Sequence, residues 1–126
     1  MILGVGTDII EVERIRKNIA NGSRFKEKVF SKNEIDYCEK KSNKAESYAA
    51  RFAAKEAFFK ALGTGWRDGM SFNEVEIMNN ELGQPQMNLY GKAKNIAETK
   101  NVTNIHVSIS HIKKIATSVV ILEDRK

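Results

Sequence analysis

Cysteine and histidine are scarce in this sequence, and their scarcity excludes several kinds of site. Cys38 is the only cysteine among 126 residues, so the chain has no internal disulfide, and it has only two histidines. Two histidines and one cysteine at these positions match none of the ligand spacings that zinc sites use. A chain without disulfides is typical of a reducing compartment, and we predict a cytoplasmic protein.

Long hydrophobic runs are also lacking. No segment approaches the roughly 20 apolar residues that cross a bilayer. Asp8 interrupts the apolar N-terminal segment, and no basic region precedes it as in a signal peptide. We therefore expect no membrane partner. With 41% hydrophobic and 29% charged residues, the composition is that of a soluble globular chain, and the length predicts a single domain over residues 1–126.

The motifs of several enzyme classes are missing too. The sequence contains neither a Walker loop nor a Rossmann glycine fingerprint. A Ser-His-acid hydrolase is disfavoured because there is no Gly-x-Ser-x-Gly elbow, and the neighbours Ser110 and His111 do not make a triad.

Positive charge, by contrast, is abundant and locally concentrated. The net charge is +5, which favours an anionic partner. Between Arg14 and Lys28 six residues are basic and only Glu27 is acidic, and Ile15 and Phe25 lie among them. A basic face with apolar residues suits an acidic, amphipathic protein, although a solvated charged surface explains the same pattern. The candidate partner-binding residues are Arg14, Arg24, Phe25 and Lys28.

A long helix is predicted from about Ala45 to Leu62, with Gly63 placed to end it. Its alanines fall on one arc and its aromatic residues on a second. It therefore lacks the wide polar face of a surface helix, and we expect it to be buried on two sides. Glu56 and Lys60 are four residues apart and share a face. Either they form an ordinary salt bridge, or they are charges held at the edge of a cleft.

The N-terminal segment from Ile2 to Val12 predicts a mostly apolar strand whose glycines allow another backbone to approach closely. Asp8 lies between apolar neighbours, where an unpaired carboxylate is costly. It either caps the following helix or binds a cation. Carboxylates from this strand and from the long helix, with basic residues around them, suit Mg²⁺ carrying substrate phosphates, because Mg²⁺ needs few protein ligands. The group consists of Asp8, Glu56, Arg51, Lys55, Lys60 and His106.

The remaining segments predict short helices and strands. Helices are expected at residues 13–20, 23–29, 31–41 and 92–100, with an Asn21-Gly22 turn, a Ser23 cap and a Ser31–Glu34 capping box. Strands are expected at residues 71–78, 86–90, 104–112 and 115–123, the last two forming a hairpin. Glu74 and Glu76 fall on the polar row of the first of these strands. His106, Ser108 and Ser110 share one face of the third, where they would suit a phosphate.

Three segments, in the same order along the chain, carry a family resemblance. They are residues 4–11 (GVGTDIIE), residues 51–65 (RFAAKEAFFKALGTG) and residues 106–110 (HVSIS). Together they resemble holo-acyl-carrier-protein synthases, the small bacterial class of 4′-phosphopantetheinyl transferases, from Met1 to about Glu123. Residues 80–85 are similar to that family's turn between central strands. The resemblance implies an α+β fold, in which an antiparallel sheet packs against a long central helix and shorter helices, and a homotrimer with active sites between subunits.

The resemblance also implies a reaction. The family transfers 4′-phosphopantetheine from coenzyme A to a serine of apo acyl carrier protein with Mg²⁺ and releases adenosine 3′,5′-bisphosphate, in support of fatty acid biosynthesis. It implies that Asp8 and Glu56 are the Mg²⁺ ligands and, with Lys60, the catalytic residues. The general base stays open, with Glu56 acting through a metal-bound water as one hypothesis. Because acyl carrier proteins are strongly acidic, the basic segment gains a partner. The residues expected to contact coenzyme A are Arg51, Lys60, Gly65, Gly83, Pro85 and His106.

Two functions from other classes remain as alternatives. A small basic nucleic-acid-binding module explains the charge, and it predicts binding that falls steeply with salt. It gives no reason for Asp8 and Glu56 at apolar positions, so we expect no nucleic-acid partner. A coenzyme A or nucleotide-binding subunit without catalytic activity explains a phosphate site but no docking surface.

Overall fold

The structure, a computed structural model, describes residues 1–20, 24–64 and 69–124. The helices are α1 (Val12–Ala20), α2 (Phe25–Val29), α3 (Lys32–Glu39), α4 (Lys44–Leu62) and α5 (Gly91–Thr99). The strands are β1 (Ile2–Glu11), β2 (Val75–Asn79), β3 (Pro85–Leu89), β4 (Asn104–His111) and β5 (Ile115–Glu123). The predicted Asn21-Gly22 turn, the Ser23 cap and Gly65 lie outside the described residues.

Two antiparallel sheets surround the long helix. Strands β1, β5 and β4 form the larger sheet in that order, and β2 pairs with β3 in the smaller one. Helix α4 packs across the inner face of the larger sheet, mainly against β1 and β5. The predicted hairpin of β4 and β5 is present, and the α+β fold class with a long central helix is confirmed.

Strand β1 lies directly on the α4 backbone because glycines face the helix. A Cβ on Gly4 would lie 2.0 Å from the carbonyl oxygen of Ala61, and a Cβ on Gly6 would lie 2.0 Å from that of Ala57. Any larger residue would therefore hold the strand away from the helix. Asp8 follows Gly6 by two residues and is on the same face of the strand, so the close contact carries its carboxylate to α4.

Helix α4 is buried on two sides, as predicted. Of its 19 residues, only Lys44, Glu46, Glu56 and Lys60 are not buried. One hydrophobic cluster fills the space between α4 and helices α1 to α3, and a second fills the space towards the sheets and α5. Gly63 ends the helix at a φ of 81°, a left-handed conformation that favours glycine. No helix in the described part of the chain has the length and apolarity of a membrane span.

The strand predicted for residues 71–78 is only partly correct. Ser71 and Glu74 form a capping box, so Phe72–Glu74 makes one 3₁₀ turn and strand β2 begins only at Val75. Side-chain hydrogen bonding to the backbone has overridden the alternating pattern.

Glu76, expected on the polar row of that strand, is only 4% exposed. Its carboxylate accepts hydrogen bonds from the hydroxyls of Ser31 at 2.6 Å and Tyr90 at 3.2 Å, and from the amide of Asn33 at 3.3 Å. These donors hold the pKa of Glu76 below its ordinary value even though burial acts in the opposite direction. Glu76 is therefore a buried junction between α3, β2 and the end of β3.

The prediction that Lys55 lies beside Asp8 and Glu56 is wrong. Its side chain is fully buried, and Nζ donates to Oε1 of Glu34 at 2.8 Å and to the carbonyl oxygens of Phe72 and Val75. Burial lowers the pKa of Lys55, and the Glu34 carboxylate only partly opposes that effect. The ion pair joins α3 and the start of β2 to α4.

Candidate active site

Asp8 on β1 and Glu56 on α4 meet at the edge of the helix, with Lys60 beside them. Lys60 Nζ donates to Asp8 Oδ1 at 2.9 Å; the Lys60 side chain is 53% exposed and that of Asp8 14%. Asp8 is therefore part of a strand and caps no helix. Lys60 pairs with the Asp8 carboxylate across the strand–helix contact.

The electrostatics of this group favour a cation between the two carboxylates. Burial and then the negative charge of Asp8 raise the pKa of Glu56, while Lys60 and Arg14 act in the opposite direction. Within the described ranges no group of three or more His, Cys, Asp or Glu side chains is placed to hold a metal ion. A pair of carboxylates is the donor set with which proteins hold Mg²⁺ that also carries phosphates. The residues present therefore fit Mg²⁺, and Asp8 and Glu56 are the pair that could hold it.

A second group of predicted residues lines a cavity of about 370 Å³ on the other side of α4's N-terminal half. Arg51, Gly83 and Pro85 all border it. Arg51 is only 4% exposed, yet its guanidinium lies at this cavity and stacks 4.2 Å from the centre of the Tyr37 ring. The cavity therefore combines a buried cation with a glycine-containing turn, which suits an anionic ligand.

His106 lies apart from Arg51. It is on the outer face of β4 and its Nε2 is 3.0 Å from Oε1 of Glu123. It borders a shallow groove that it shares with Pro85, whereas the cavity of Arg51 is bordered by His111. The predicted alternation of β4 is present, with His106, Ser108 and Ser110 exposed.

The predicted site residues thus form separate groups in one chain. Asp8, Glu56 and Lys60 are together, Arg51, Gly83 and Pro85 are together, and His106 reaches only Pro85. Gly65 lies outside the described residues. Sequence reasoning missed eight residues of the Arg51 cavity, although Tyr37 and Lys41 have helical spacing and Asn79 directly precedes the predicted turn. The eight are Tyr37, Lys41, Asn43, Ser47, Ala50, Asn79, Ile109 and His111.

The basic segment forms a surface on α1 and α2. Arg14, Arg24 and Lys28 are exposed, and Phe25 is partly buried with its ring 6.1 Å from that of Phe52. Arg16 and Lys26 in this segment have acidic partners. No ion pair between described residues involves Arg14, Arg24 or Lys28.

Comparison with known proteins identifies the family of the chain. Residues 4–119 match the family model described as the 4′-phosphopantetheinyl transferase superfamily. The chain is 50% identical over 120 residues to a holo-[acyl-carrier-protein] synthase of Ruminiclostridium cellulolyticum, covering 94% of this chain and 90% of the relative. It is 46% identical over 127 residues to that of Syntrophus aciditrophicus, covering 100% and 99%.

A solved structure is similar over nearly the whole chain. It is a holo-(acyl-carrier-protein) synthase from Bacillus anthracis in complex with CoA (3′,5′-ADP), with a TM-score of 0.82, 37% identity, and coverage of 99% of each chain. Sequence and fold therefore agree over the residues that carry both groups of the candidate site. The chain belongs to the 4′-phosphopantetheinyl transferase superfamily and is a phosphopantetheinyl transferase of the holo-acyl-carrier-protein synthase kind.

Proposed function

We propose that this chain transfers 4′-phosphopantetheine from coenzyme A to a serine of apo acyl carrier protein. The serine oxygen bonds to the phosphorus that carries the pantetheine, the bond from that phosphorus to the bridging oxygen breaks, and adenosine 3′,5′-bisphosphate leaves. The observation that carries the proposal is the meeting of Asp8, Glu56 and Lys60 in a chain whose relatives are holo-acyl-carrier-protein synthases.

We propose that the reaction depends on Mg²⁺ held by Asp8 and Glu56. When bound, the cation supplies positive charge to phosphate oxygens that become more negative in the transition state. The partly buried carboxylates support this, because burial and mutual repulsion make the pair costly without a cation.

Lys60 is proposed to bind the pyrophosphate of coenzyme A. Its ammonium is half exposed, lies one helical turn from Glu56 and already contacts Asp8, so it can donate to a phosphate oxygen at the same place. Glu56, with a raised pKa, is the candidate for taking the serine proton.

The nucleotide end of coenzyme A is proposed to use the second group. Arg51 provides a buried cation at a cavity large enough for part of a nucleotide, and Gly83 and Pro85 border the same cavity. His106 and Gly65 are proposed as further contacts to coenzyme A. His106 is exposed on the outer face of β4, where a neighbouring subunit can bring it to a shared ligand.

We propose a homotrimer with active sites between subunits, and that separation supports it. The outer face of β1 supports it: Leu3 is 40% exposed, Val5 56% and Ile9 68%, and these three side chains alternate along one face of the strand. A row of exposed apolar side chains on a sheet is typical of an interface. We also propose that residues 1–126 form a single 4′-phosphopantetheinyl transferase domain.

The exposed basic surface is proposed to dock the carrier protein. Arg14, Arg24 and Lys28 offer positive charge that no acidic side chain in the described ranges pairs with, and Phe25 offers an apolar edge, the combination that suits an acidic helix. Arg14 is also close enough to Glu56 to influence its pKa, so a docked serine would lie near the carboxylates.

We further propose that the protein acts in the cytoplasm in fatty acid biosynthesis.

Mass spectrometry of the carrier protein tests the proposal. The protein is incubated with apo acyl carrier protein, coenzyme A and Mg²⁺, and we expect a gain equal to one phosphopantetheine group. A chelator or Asp8→Ala should abolish the gain, and a carrier protein whose acceptor serine is replaced by alanine should never show it. A carrier protein of unchanged mass in the complete reaction would refute the proposed transfer.

A further inference from the structure

Arg51 is buried with neutral partners, which is unusual for a cation. Its Nε donates to the carbonyl oxygen of Ile77 at 3.2 Å, its NH1 to the hydroxyl of Ser47 at 3.4 Å and its NH2 to Oδ1 of Asn79 at 2.7 Å. None of the ion pairs formed within residues 1–20, 24–64 and 69–124 includes it. A buried guanidinium without a carboxylate is costly, so its positive charge is available to whatever occupies the cavity.

The hydrogen bond from Arg51 to Asn79 is the shortest of these three, and the Asn79 side chain makes a second hydrogen bond. Its Nδ2 donates to the carbonyl oxygen of Gly83 at 2.9 Å. Because an arginine can only donate and a carbonyl can only accept, the orientation of the amide is fixed by its two partners. The side chain therefore connects Arg51 on α4 to the turn between β2 and β3, and all three residues border the same cavity.

The buried ion pair of Glu34 and Lys55 helps to fix the position of Asn79. Oε2 of Glu34 accepts from the backbone N–H of Ile77 at 2.9 Å, and the carbonyl oxygen of Ile77 accepts from Arg51. Glu34 itself is held by Lys55. Strand β2 is thereby fixed at the residue that leads into Asn79, so the amide has little freedom to move.

We propose that Asn79 is a positioning residue that holds the Arg51 guanidinium and the Gly83 turn at a fixed spacing while leaving the arginine's charge unneutralised. A carboxylate of the same size would still accept from Arg51. It would, however, cancel the charge and present no donor to the Gly83 carbonyl. The amide is thus required at this position for binding a phosphate monoester of the nucleotide, a conclusion that rests on the proposed use of this cavity by coenzyme A.

The neighbouring residue provides a matched control. Asn80 Oδ1 accepts from the backbone N–H groups of Leu82 at 3.0 Å and Gln84 at 2.9 Å, bonds that a carboxylate can also accept. Its Nδ2 also donates to Oε1 of Gln84 at 3.1 Å, but that bond is exposed to solvent, so losing it in an aspartate costs little. Asn80 does not border the cavity of Arg51. Asn79→Asp and Asn80→Asp therefore add the same charge to the same turn, and only the first places it against the guanidinium.

Calorimetric binding of adenosine 3′,5′-bisphosphate, together with steady-state kinetics, tests the inference. We expect Asn79→Asp to weaken binding and raise KM for coenzyme A about 10- to 100-fold, the scale of one hydrogen bond to a charged group. KM for the carrier protein and kcat at saturating coenzyme A should stay near the wild-type values, and Asn80→Asp should behave as wild type. A merely structural role would instead lower kcat and affect both substrates.

Each outcome decides one question. Wild-type affinity in Asn79→Asp, or an equal loss in Asn80→Asp, overturns the inference while leaving the transferase proposal intact. If the wild-type protein itself does not bind the nucleotide, the proposed use of the cavity fails. Should Asn79→Asp not fold, Asn79→Ser replaces it, with an expected rise of a few-fold in KM for coenzyme A alone. An unchanged KM in that variant overturns the inference too.

Discussion

A single methyl group at Gly6 would test whether the contact between β1 and α4 sets the spacing of the two carboxylates. In Gly6→Ala the new Cβ would lie 2.0 Å from the carbonyl oxygen of Ala57 and 2.6 Å from the nitrogen of Ala61. Both neighbours are helix backbone and cannot rotate away. To restore an ordinary contact of 3.4 Å, strand and helix must separate by about 1.4 Å, and overpacking of this kind costs about 1–3 kcal/mol of stability.

The same displacement reaches Asp8, which moves with the strand. A separation of about 1.4 Å would lengthen the 2.9 Å contact between Lys60 and Asp8 beyond hydrogen-bonding distance. It would also widen the gap between Asp8 and Glu56, and Mg²⁺ demands near-ideal geometry from its ligands. We expect the Mg²⁺ concentration for half-maximal activity to rise about 10-fold or more, the scale seen when the support of a metal ligand is disturbed.

Gly4→Ala is the matched control, because its Cβ meets the carbonyl oxygen of Ala61 at the same 2.0 Å but lies four residues from Asp8. Thermal unfolding should show a similar loss of stability in both variants, whereas a Mg²⁺ titration of the transfer rate should show the larger shift in Gly6→Ala. Equal Mg²⁺ dependence in the two variants, or a wild-type dependence in Gly6→Ala, would refute the reasoning.

Other predictions concern charge. Glu56→Gln should abolish transfer yet retain or slightly raise the melting temperature, because it removes a partly buried carboxylate beside Asp8; near-wild-type turnover would exclude Glu56 from the site. Reversing Arg14 and Arg24 to Glu should raise KM for the carrier protein and spare coenzyme A, with a charge reversal on the β4–β5 turn as control; equal weakening of both substrates counts against docking there. Lys55→Met should cost about 3–5 kcal/mol in chemical unfolding because it leaves its carboxylate partner buried and uncompensated, and a loss below 1 kcal/mol would contradict that. Hydrogen bonds from Tyr48 and then Lys26 hold the pKa of Glu39 at about 2, below its ordinary 4.5, so this carboxylate adds stability above about pH 4.5 that is lost as the pH falls towards 2. Glu39→Gln should therefore be less stable than wild type at neutral pH, with the difference shrinking in acid; a constant difference in urea unfolding would argue against it.

Most of the architecture was predictable because it depends on local patterns. The capping box at Ser31, the glycine that ends α4 and the alternation of β4 each depend on a few neighbouring residues. The two-sided burial of α4 could be deduced from the lack of a polar face on that helix. The prediction of a strand at residues 71–78 was partly wrong because a side-chain cap competes with the alternating pattern there. The alternation alone does not reveal which of the two determines the backbone conformation.

The candidate site was predictable in part. What the sequence did not reveal were the contacts between residues that are far apart along the chain. Asp8 and Glu56 could be grouped because both are charged residues in apolar surroundings. Lys55 could not be told from Lys60 by that criterion, since both are lysines on one helix. The difference is the carboxylate of Glu34, which lies 21 residues away in sequence and meets Lys55 only after folding. Two of the neutral partners of Arg51 were equally invisible, because Ile77 and Asn79 belong to β2 and lie 26 and 28 residues away in sequence.

The burial of α4 has a consequence for how inactive variants would behave in a cell. Glu56 and Lys60 are the only residues in the second half of the helix that reach the surface, so changing them disturbs little of the packing. Loss-of-function variants at these positions would accumulate as folded protein that still displays the basic surface of α1 and α2. Such a protein would sequester carrier protein without modifying it and act as a dominant inhibitor, whereas variants at the buried positions would be degraded and behave as simple losses.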